Sequence, residues 1–319
     1  MPDLDLIVIG EINPDLILRG PELIPAFGQV EQTVDDATLT IGSSSVIMAC
    51  GAARLGLRTA FVGLVGDDQL GCFMLDAMQR RKVDVSACVR DRAYKTGLSV
   101  ILSQPQDRAI LSYLGATAAL SMKHIDPVML RRARHLHVGS YFLLEALQSD
   151  LPALYAQAHD MGLSTSLDTN WDPLGEWDSG LARVLRECDV FLPNKAEAQL
   201  ISRRQDLREA MELLSSQVPV LVVKLGAEGA RARQGKETVY APSLKVSVVD
   251  TTGAGDSFDA GFLYGYVNGW CLREALQLGC ACGSLSTRAP GGTEGQPTLA
   301  QARDALAHAS YSAHRTAGA

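Results

Sequence analysis

No stretch of the chain concentrates lysine and arginine. The formal net charge is -7, and the densest basic run, Arg80-Arg81-Lys82, passes at once into Val83-Asp84 and reads as a solvated helix end. A protein that grips a nucleic-acid backbone carries a basic patch or stripe, so nucleic acid is excluded as a partner. No uninterrupted apolar run reaches the roughly 18 residues a membrane-spanning helix needs. Asp3 and Asp5 stand where the basic segment of a secretory signal would lie. These absences predict a soluble, cytoplasmic protein with no membrane partner. Cysteine is present without order: seven residues, at 50, 72, 88, 188, 271, 280 and 282. An odd count without repeated spacing excludes a disulfide framework or a zinc knuckle and predicts reduced, buried thiols. His135 and His137 share a strand face but have no further ligand at a metal-binding spacing, and read as satisfied core histidines. GxxxxGK[ST], HRD and DFG are all missing, which removes support for P-loop and protein-kinase chemistry.

What the chain does contain is apolar material and glycine. Of its 319 residues 47% are hydrophobic and 29 are glycine. Short apolar runs at Leu6–Ile9, Thr59–Val65, His135–Val138, Ser164–Leu167, Val190–Leu192 and Val220–Leu225 read as buried strands. Amphipathic stretches lie between them: Ser44–Leu55, Gln69–Arg80, Ser149–Met161, Gly180–Arg186 and Asp206–Ser216, the last with Asp206 as N-cap. Strands alternating with helices predict an α/β fold, a mostly parallel sheet covered on both faces. Ligands of such sheets sit at the carboxyl ends of the strands. Glu31–Ile41 and Thr96–Tyr113 alternate without helices and predict a small antiparallel sheet projecting from the main one. The last third is helical, at Gly253–Asn268, Leu272–Arg288 and Leu299–Ala309. No repeat, low-complexity segment or linker divides the chain, so residues 1–319 are expected to form one domain, with lid strands at about 17–41 and 95–114.

The most informative stretch is Val248–Gly265. An apolar strand runs into Asp250-Thr251-Thr252, then Gly253-Ala254-Gly255-Asp256, then a helix. Gly253 and Gly255 allow a tight turn and bare amides. A helix start leaves amides unsatisfied and carries positive dipole, which makes an anion site. Asp256 at its mouth suits proton abstraction from a hydroxyl while the amides hold a transferring phosphoryl group. The same residues also fit a plain strand-to-helix turn capped by Asp256.

This stretch resembles the second signature of the ribokinase-like sugar kinases of the phosphofructokinase-B type, D-T-T/V-G-A-G-D-x-F, without a gap. The resemblance extends over essentially the whole chain. It implies a three-layer α/β/α fold with a small antiparallel β lid. It implies an ATP-dependent kinase acting on a hydroxyl, a primary CH2OH, of a small sugar-like molecule. In that family the matching aspartate is the base and the Gly-Ala-Gly backbone the anion hole, roles that fall on Asp256 and on Gly253, Ala254 and Gly255. Gly10-Glu11-Ile12-Asn13-Pro14-Asp15 is similar to the segment that binds sugar hydroxyls, pointing to Asn13 and Asp15. Gly63–Asp68 with Gly71 matches a structural turn and helix cap. Asn194 and Glu197 match N-x-x-E, which handles magnesium and phosphates largely through water and equally forms a capping box. Lys224, Gly226 and Gly229 match the nucleotide loop T-x-G-x-x-G, with Lys224 in place of threonine. Asp250 and Thr252, with the Arg288–Gly292 turn, match a potassium site. A homodimer through the lid is also implied.

Two departures narrow the substrate. The first family signature begins Gly-Gly and carries an Asn five residues on; here Gly42 is followed by Ser43, and Ile47 replaces the Asn. Isoleucine cannot bond a hydroxyl, and leaving one unpaired costs about 1–3 kcal/mol. Gly42 and Ser43 keep the substrate-binding position. Asp168-Thr169-Asn170 resembles the D-x-N segment of fructokinase- and ketodeoxygluconate-kinase-like members, which places Asn170 against substrate. Asp172 stands where those members carry arginine, which argues against sugar acids and sugar phosphates. Turn chemistry also explains Asn170 and Asp172. A nucleoside kinase, favoured by an apolar wall at Ile47, and a silent ligand-binding homologue remain alternatives to the sugar kinase.

Overall fold

A computed structural model describes residues 2–104 and 107–316; residues 105–106, within the expected lid span of about 95–114, lie outside them. In chain order the strands are β1 (Leu6–Ile9), β2 (Pro14–Arg19), β3 (Asp36–Ile41), β4 (Thr59–Val62), β5 (Leu64–Gly66), β6 (Val89–Asp91), β7 (Leu98–Ser103), β8 (Arg108–Tyr113), β9 (His135–Val138), β10 (Ser164–Leu167), β11 (Val190–Phe191), β12 (Val220–Lys224), β13 (Ala230–Gln234) and β14 (Glu237–Ala241).

Eight of them form one sheet in the order β14-β13-β12-β11-β10-β9-β1-β4, parallel from β12 to β4 and antiparallel at β13 and β14. The period-two geometry of a strand divides β1 between two cores. Leu6 and Val8 face one cluster, with the helices Ser44–Leu55 and Ala254–Val267; Ile7 and Ile9 face the other, with Leu136 and Leu154. All four are fully buried, and each such side chain contributes about 1.5–3 kcal/mol by leaving water. From β1 the chain runs to β4 on one side and later to β9 on the other. The strand order therefore reverses between β1 and β9, which opens a crevice at their carboxyl ends.

A separate four-stranded sheet, β3-β2-β7-β8, follows directly from the end of β1 and touches the turn before the helix Ala254–Val267, where Arg108 of β8 donates to Thr252 Oγ1 at 3.2 Å. The helices start where side-chain caps allow. Ser43 accepts from Val46 N, Asp68 from Gly71 N at 2.8 Å, and Asp206 from Glu209 N at 3.0 Å.

Four expectations are corrected. The run Thr59–Val65 divides at Gly63, so that β4 pairs with β1 while β5 turns away to pair with β6. The lid, expected to be antiparallel, pairs β2 with β7 in parallel, because the crossover between them runs back through the main sheet. The hairpin β13–β14 was not anticipated, although Ala230–Gln234 and Glu237–Ala241 flank the two-residue turn Gly235-Lys236, with Gly235 at φ 55. All the cysteines are free, but Cys72 and Cys271 are exposed, the latter at the N-cap of the helix Leu272–Ser286. His135 and His137 are satisfied in the core by Ser164 and Ser166 at 2.7–2.8 Å. Among the described residues no helix is long and apolar enough to cross a membrane.

Candidate active site

At the end of β1, the Glu11 carboxylate is 2% exposed and accepts hydrogen bonds from the hydroxyl and amide of Ser45. Burial, the largest influence, raises its pKa. Ser43 donates to Glu11 O at 2.5 Å and accepts from Val46 N, so its hydroxyl is committed within the protein. Beside it Gly42 runs so close to Asp15 that a Cβ there would overlap the carboxylate. Asp15 is buried and, among the described residues, has no cation within ion-pair distance; burial first, then Glu11, pushes its carboxyl up to about 7, while Arg108 draws it down. Asn13 donates to Ser99 Oγ at 3.1 Å, and Ser99 bonds Ser112 at 3.0 Å. Lid and body thus meet around Asn13, Asp15 and Gly42.

Across the crevice Gly253 is the N-cap of the helix Ala254–Val267, with φ 72. A Cβ there would come within 2.7 Å of Gly292 Cα and 2.9 Å of Ile47 Cγ2, so conformation and close packing both demand glycine. Among the described residues the amides of Gly253, Gly255 and Asp256 have no backbone partner. Unsatisfied first-turn donors of this kind attract anions. Asp256 sits in that turn, half-buried, and is hydrogen-bonded by Ser44. Burial first, then Asp168, pushes its carboxyl up to about 8, against the pull of Lys224.

Behind the turn lies a buried charge cluster. Lys224 Nζ donates to Asp168 Oδ2 at 2.5 Å and to Asp259 Oδ2 at 2.9 Å. Asp259 follows Asp256 by one helical turn. Burial alone would raise both carboxyls, but Lys224 holds Asp168 below the usual range, whereas burial drives Asp259 well above it. The ammonium of Lys224 lies 3.7 Å from where a Gly255 Cβ would stand, beneath the bare amides.

At the end of β11 the capping box is complete. Asn194 Oδ1 accepts from Glu197 N at 3.0 Å, and Glu197 Oε2 accepts from Asn194 N at 2.8 Å. Asn194 Nδ2 adds a bond to Glu197 Oε1 at 2.5 Å. The Glu197 carboxyl is pushed up to about 7, by burial first and then by Asp168. Asn194 also forms a parallel bridge with Lys224, which brings the N-x-x-E segment against the loop at Gly226 (φ 60) and Gly229 (φ 103). Asp250 accepts from Thr252 N and Gly291 N, both at 2.9 Å, and so ties the turn before the helix to the 288–292 turn. Among the described residues no three His, Cys, Asp or Glu are grouped to hold a metal ion.

Three side chains sit differently from expectation. The Asn170 amide is used up on Ser44 Oγ and Ser140 Oγ, both at 3.2 Å, and on Trp171 N; it steadies Ser44, which in turn bonds Asp256. Asp172 turns inward, 2% exposed, to accept from Leu174 N and Trp177 N, so it is turn chemistry and repels nothing in the crevice. Ile47, 3% exposed, packs on Gly253 and Gly292 and forms no open apolar wall. Sequence reasoning passed over Glu11, Ser44, Asp259 and Arg108. For Asp259 a signal existed: a carboxylate in a helix face of small and aromatic residues demands a cation, and Lys224 closes an apolar strand with the same need.

A mostly parallel sheet with helices on both faces and a separate small sheet, antiparallel except where β2 pairs with β7, is the ribokinase-like architecture. The adenosine kinase from Sinorhizobium meliloti matches it at a TM-score of 0.83 and 26% identity, covering 94% of this chain and 98% of that one. The model of the pfkB family carbohydrate kinases matches residues 3–299. The 5-dehydro-2-deoxygluconokinase of Geobacillus kaustophilus (strain HTA426) is 30% identical over 314 residues, 93% of this chain and 92% of that protein. The 2-dehydro-3-deoxygluconokinase of Bacillus subtilis (strain 168) is 32% identical over 266 residues, 79% and 82% of the two. The chain belongs to the pfkB family of carbohydrate kinases, ATP-dependent phosphotransferases with an alcohol acceptor.

Proposed function

We propose that this protein transfers the γ-phosphoryl group of ATP to a primary hydroxyl of a small sugar-like acceptor, with Asp256 as the base. What supports this reading is Asp256 in the first turn of a helix where, among the described residues, the amides of Gly253, Gly255 and Asp256 have no backbone partner, with the charge of Lys224 acting on its carboxyl. Asn13, Asp15 and the backbone at Gly42 frame the acceptor. Ser43 and Asn170, whose side chains are committed internally, shape that frame and support Ser44. Asp256 takes the hydroxyl proton as the oxygen attacks in line. The amides of Gly253 and Gly255 face the charge that spreads over the phosphoryl oxygens; that of Ala254, expected beside them, donates instead to Thr251 O at 3.3 Å.

Asn194, Lys224, Gly226 and Gly229 border the nucleotide. Glu197 fits magnesium through water: each oxygen takes one internal donor from Asn194 and retains lone pairs for a metal-bound water. Magnesium supplies charge neutralisation on the phosphates. Asp250, with both oxygens on backbone amides, shapes the loop at Thr252 and 288–292 whose carbonyls would hold potassium. The seven free cysteines suit a cytoplasmic, reducing compartment.

A coupled ADP-release screen over ketoses, aldoses, sugar acids and nucleosides tests the reading, with Mg2+ present and K+ present or omitted. Acceptor-stimulated ADP release is expected for one class, with stimulation by K+. Silence across the panel with ATP still bound would overturn it in favour of a ligand-binding homologue. The buried Ile47 withdraws the main support for nucleosides.

The lid's outer face carries Leu39, Leu111 and Tyr113, 42–62% exposed, beside half-buried Leu16, Val100 and Leu102. An apolar sheet face of this extent fits a second copy of the chain. Light scattering should give a dimer, and Leu111→Asp combined with Leu39→Asp should give a monomer; a monomeric parent would overturn the dimer.

A further inference from the structure

Two helices bring the site together. The helix Ser44–Leu55 starts beside the acceptor frame, and the helix Ala254–Val267 starts at the anion hole. Their first turns touch: Ile47 packs on Gly253, and Ser44 bonds Asp256. One buried side chain ties both turns. Gln296 lies between the helices Leu272–Ser286 and Leu299–Thr316 and is 3% exposed. Its Nε2 donates to Ile47 O at 2.8 Å and to Ser257 Oγ at 3.1 Å. A side-chain amide nitrogen carries two hydrogens, so one goes to the first turn of each helix. A carbonyl only accepts, so Ile47 O faces the nitrogen of that amide and not its oxygen. The backbone of the same residue is held as well: Gln296 O accepts from Arg54 Nε at 2.5 Å, further along the first helix. The fit is close. A Cβ on Gly51 would come within 2.8 Å of Gln296 Nε2 and 3.0 Å of Ala260 Cβ, so the two helices and the amide meet without a gap.

We infer that Gln296 is a positioning residue for phosphoryl transfer: its amide sets the separation of the two helix starts, and with it the distance between the acceptor hydroxyl and the phosphoryl group. This deepens the kinase reading and rests on it. In-line attack needs the reacting atoms about 3–3.5 Å apart, and a misplacement of about 1 Å costs up to about 100-fold in rate. Asp256 directly precedes Ser257, so the bond to Ser257 acts on the turn that carries the base. Ile47 lies on the turn that follows Gly42 and Ser43, at the edge of the acceptor frame. The bond from Ser44 ends on a carboxyl that changes charge during turnover. Both Gln296 bonds end on neutral groups, a carbonyl and a hydroxyl, that keep their state throughout. The packing of Ile47 on Gly253 is apolar and without direction. The two amide bonds are directional, and they hold the spacing through the reaction.

The test pairs Gln296→Met, which keeps the length of the side chain and removes both donors, with Ser257→Ala, which removes one acceptor. Turnover is measured with Mg·ATP and fructose, or a six-carbon keto-deoxy acid where fructose is silent. Gln296→Met should lower kcat by about 10–100-fold at a temperature where it is fully folded, while KM for the acceptor and for Mg·ATP changes by less than about threefold. Ser257→Ala should lower kcat several-fold alone and no further in the Gln296→Met background, because the bond it removes is already absent there. A purely structural glutamine would lower Tm and leave the turnover of the folded enzyme unchanged. That result, a loss confined to KM, or additive losses in the double variant would overturn the inference. If Gln296→Met does not fold, Ser257→Ala decides: a lowered kcat at unchanged KM upholds the role, and parental turnover removes it. Hydrogen exchange of the free protein separates this inference from the kinase reading. The amides of Ile47 and Ser257, bonded to Ser43 O and Gly253 O at 2.9 Å, should exchange faster in Gln296→Met than in the parent, with β1 and β12 unchanged. If no acceptor releases ADP, the kinase reading fails. Faster exchange confined to those two turns would still uphold the clamp, and unchanged exchange would remove it.

Discussion

Asp256→Asn should lower kcat by about 10²–10⁴-fold, the usual worth of a positioned general base, while ATP affinity changes little. The amide keeps the shape of the side chain and its bond to Ser44 but cannot accept a hydroxyl proton. The pH dependence gives the residue a signature. Burial, with Asp168 and Glu11 adding, pushes its carboxyl up to about 8, so the acidic limb of kcat/KM should lie well above the ordinary carboxylate range near 4. It should be absent from the residual activity of Asp256→Asn. Stability should move the opposite way. The folded protein holds a proton on Asp256 that the unfolded chain gives up at about pH 4, and that stabilisation is lost as pH rises toward 8. Asparagine cannot ionise, so Asp256→Asn should match the parent near pH 4 and melt above it at pH 8. Turnover within threefold of the parent would remove Asp256 from the role of base.

That residue was legible in the sequence because its surroundings are local. Asp250 to Phe258 is one continuous stretch in which strand, turn, glycines and helix start follow from residue types. The parallel sheet was legible for the same reason in β1 and β12, which are apolar runs bounded by turn residues and buried on both faces, and less so in β9 and β10, where histidine, serine and threonine are buried among them. The lid was harder. β2 begins with proline and carries the buried Asp15, and its pairing with β7, some eighty residues on, is fixed by contacts that no local pattern encodes. The same holds for side-chain orientation. Asp172 read as a charge in the crevice because its position in the segment was known and its direction was not; two backbone amides decide that direction. Ile47 read as a wall for the acceptor, yet Gly253 and Gly292, both distant in sequence, provide the cavity it fills. Lys224 read as a changed nucleotide-loop residue because neither of its partners is near it in sequence.

Lys224→Met should be the most destabilising single change near the site. Nζ joins Asp168 on β10's end to Asp259 on the helix that carries Asp256. Removing one member of a buried ion pair leaves the other without compensation, at about 3–5 kcal/mol. For a chain of this size that lowers Tm by about 10 °C. Asp259→Asn should do far less, because burial drives that carboxyl well above the usual range, toward the neutral form that asparagine resembles. Lys224→Met with Asp168→Asn should recover much of the loss, since the stranded charge is gone. The pH dependence separates this account from a plain packing defect. In the parent, burial would raise the Asp168 carboxyl, but Lys224 holds it below the usual range, so its contribution is present above about pH 4 and lost in acid. Without the ammonium the same carboxyl rises, and the variant loses stability as pH rises. The gap in Tm between parent and Lys224→Met should therefore widen from pH 5 to pH 8. A gap independent of pH would mean that methylene packing, not charge, holds β10 and β12 to the helix. The same variant raises the proton affinity of Asp256, because its one nearby cation is lost, so the acidic limb of kcat/KM should move to higher pH, a shift that a packing defect would not produce.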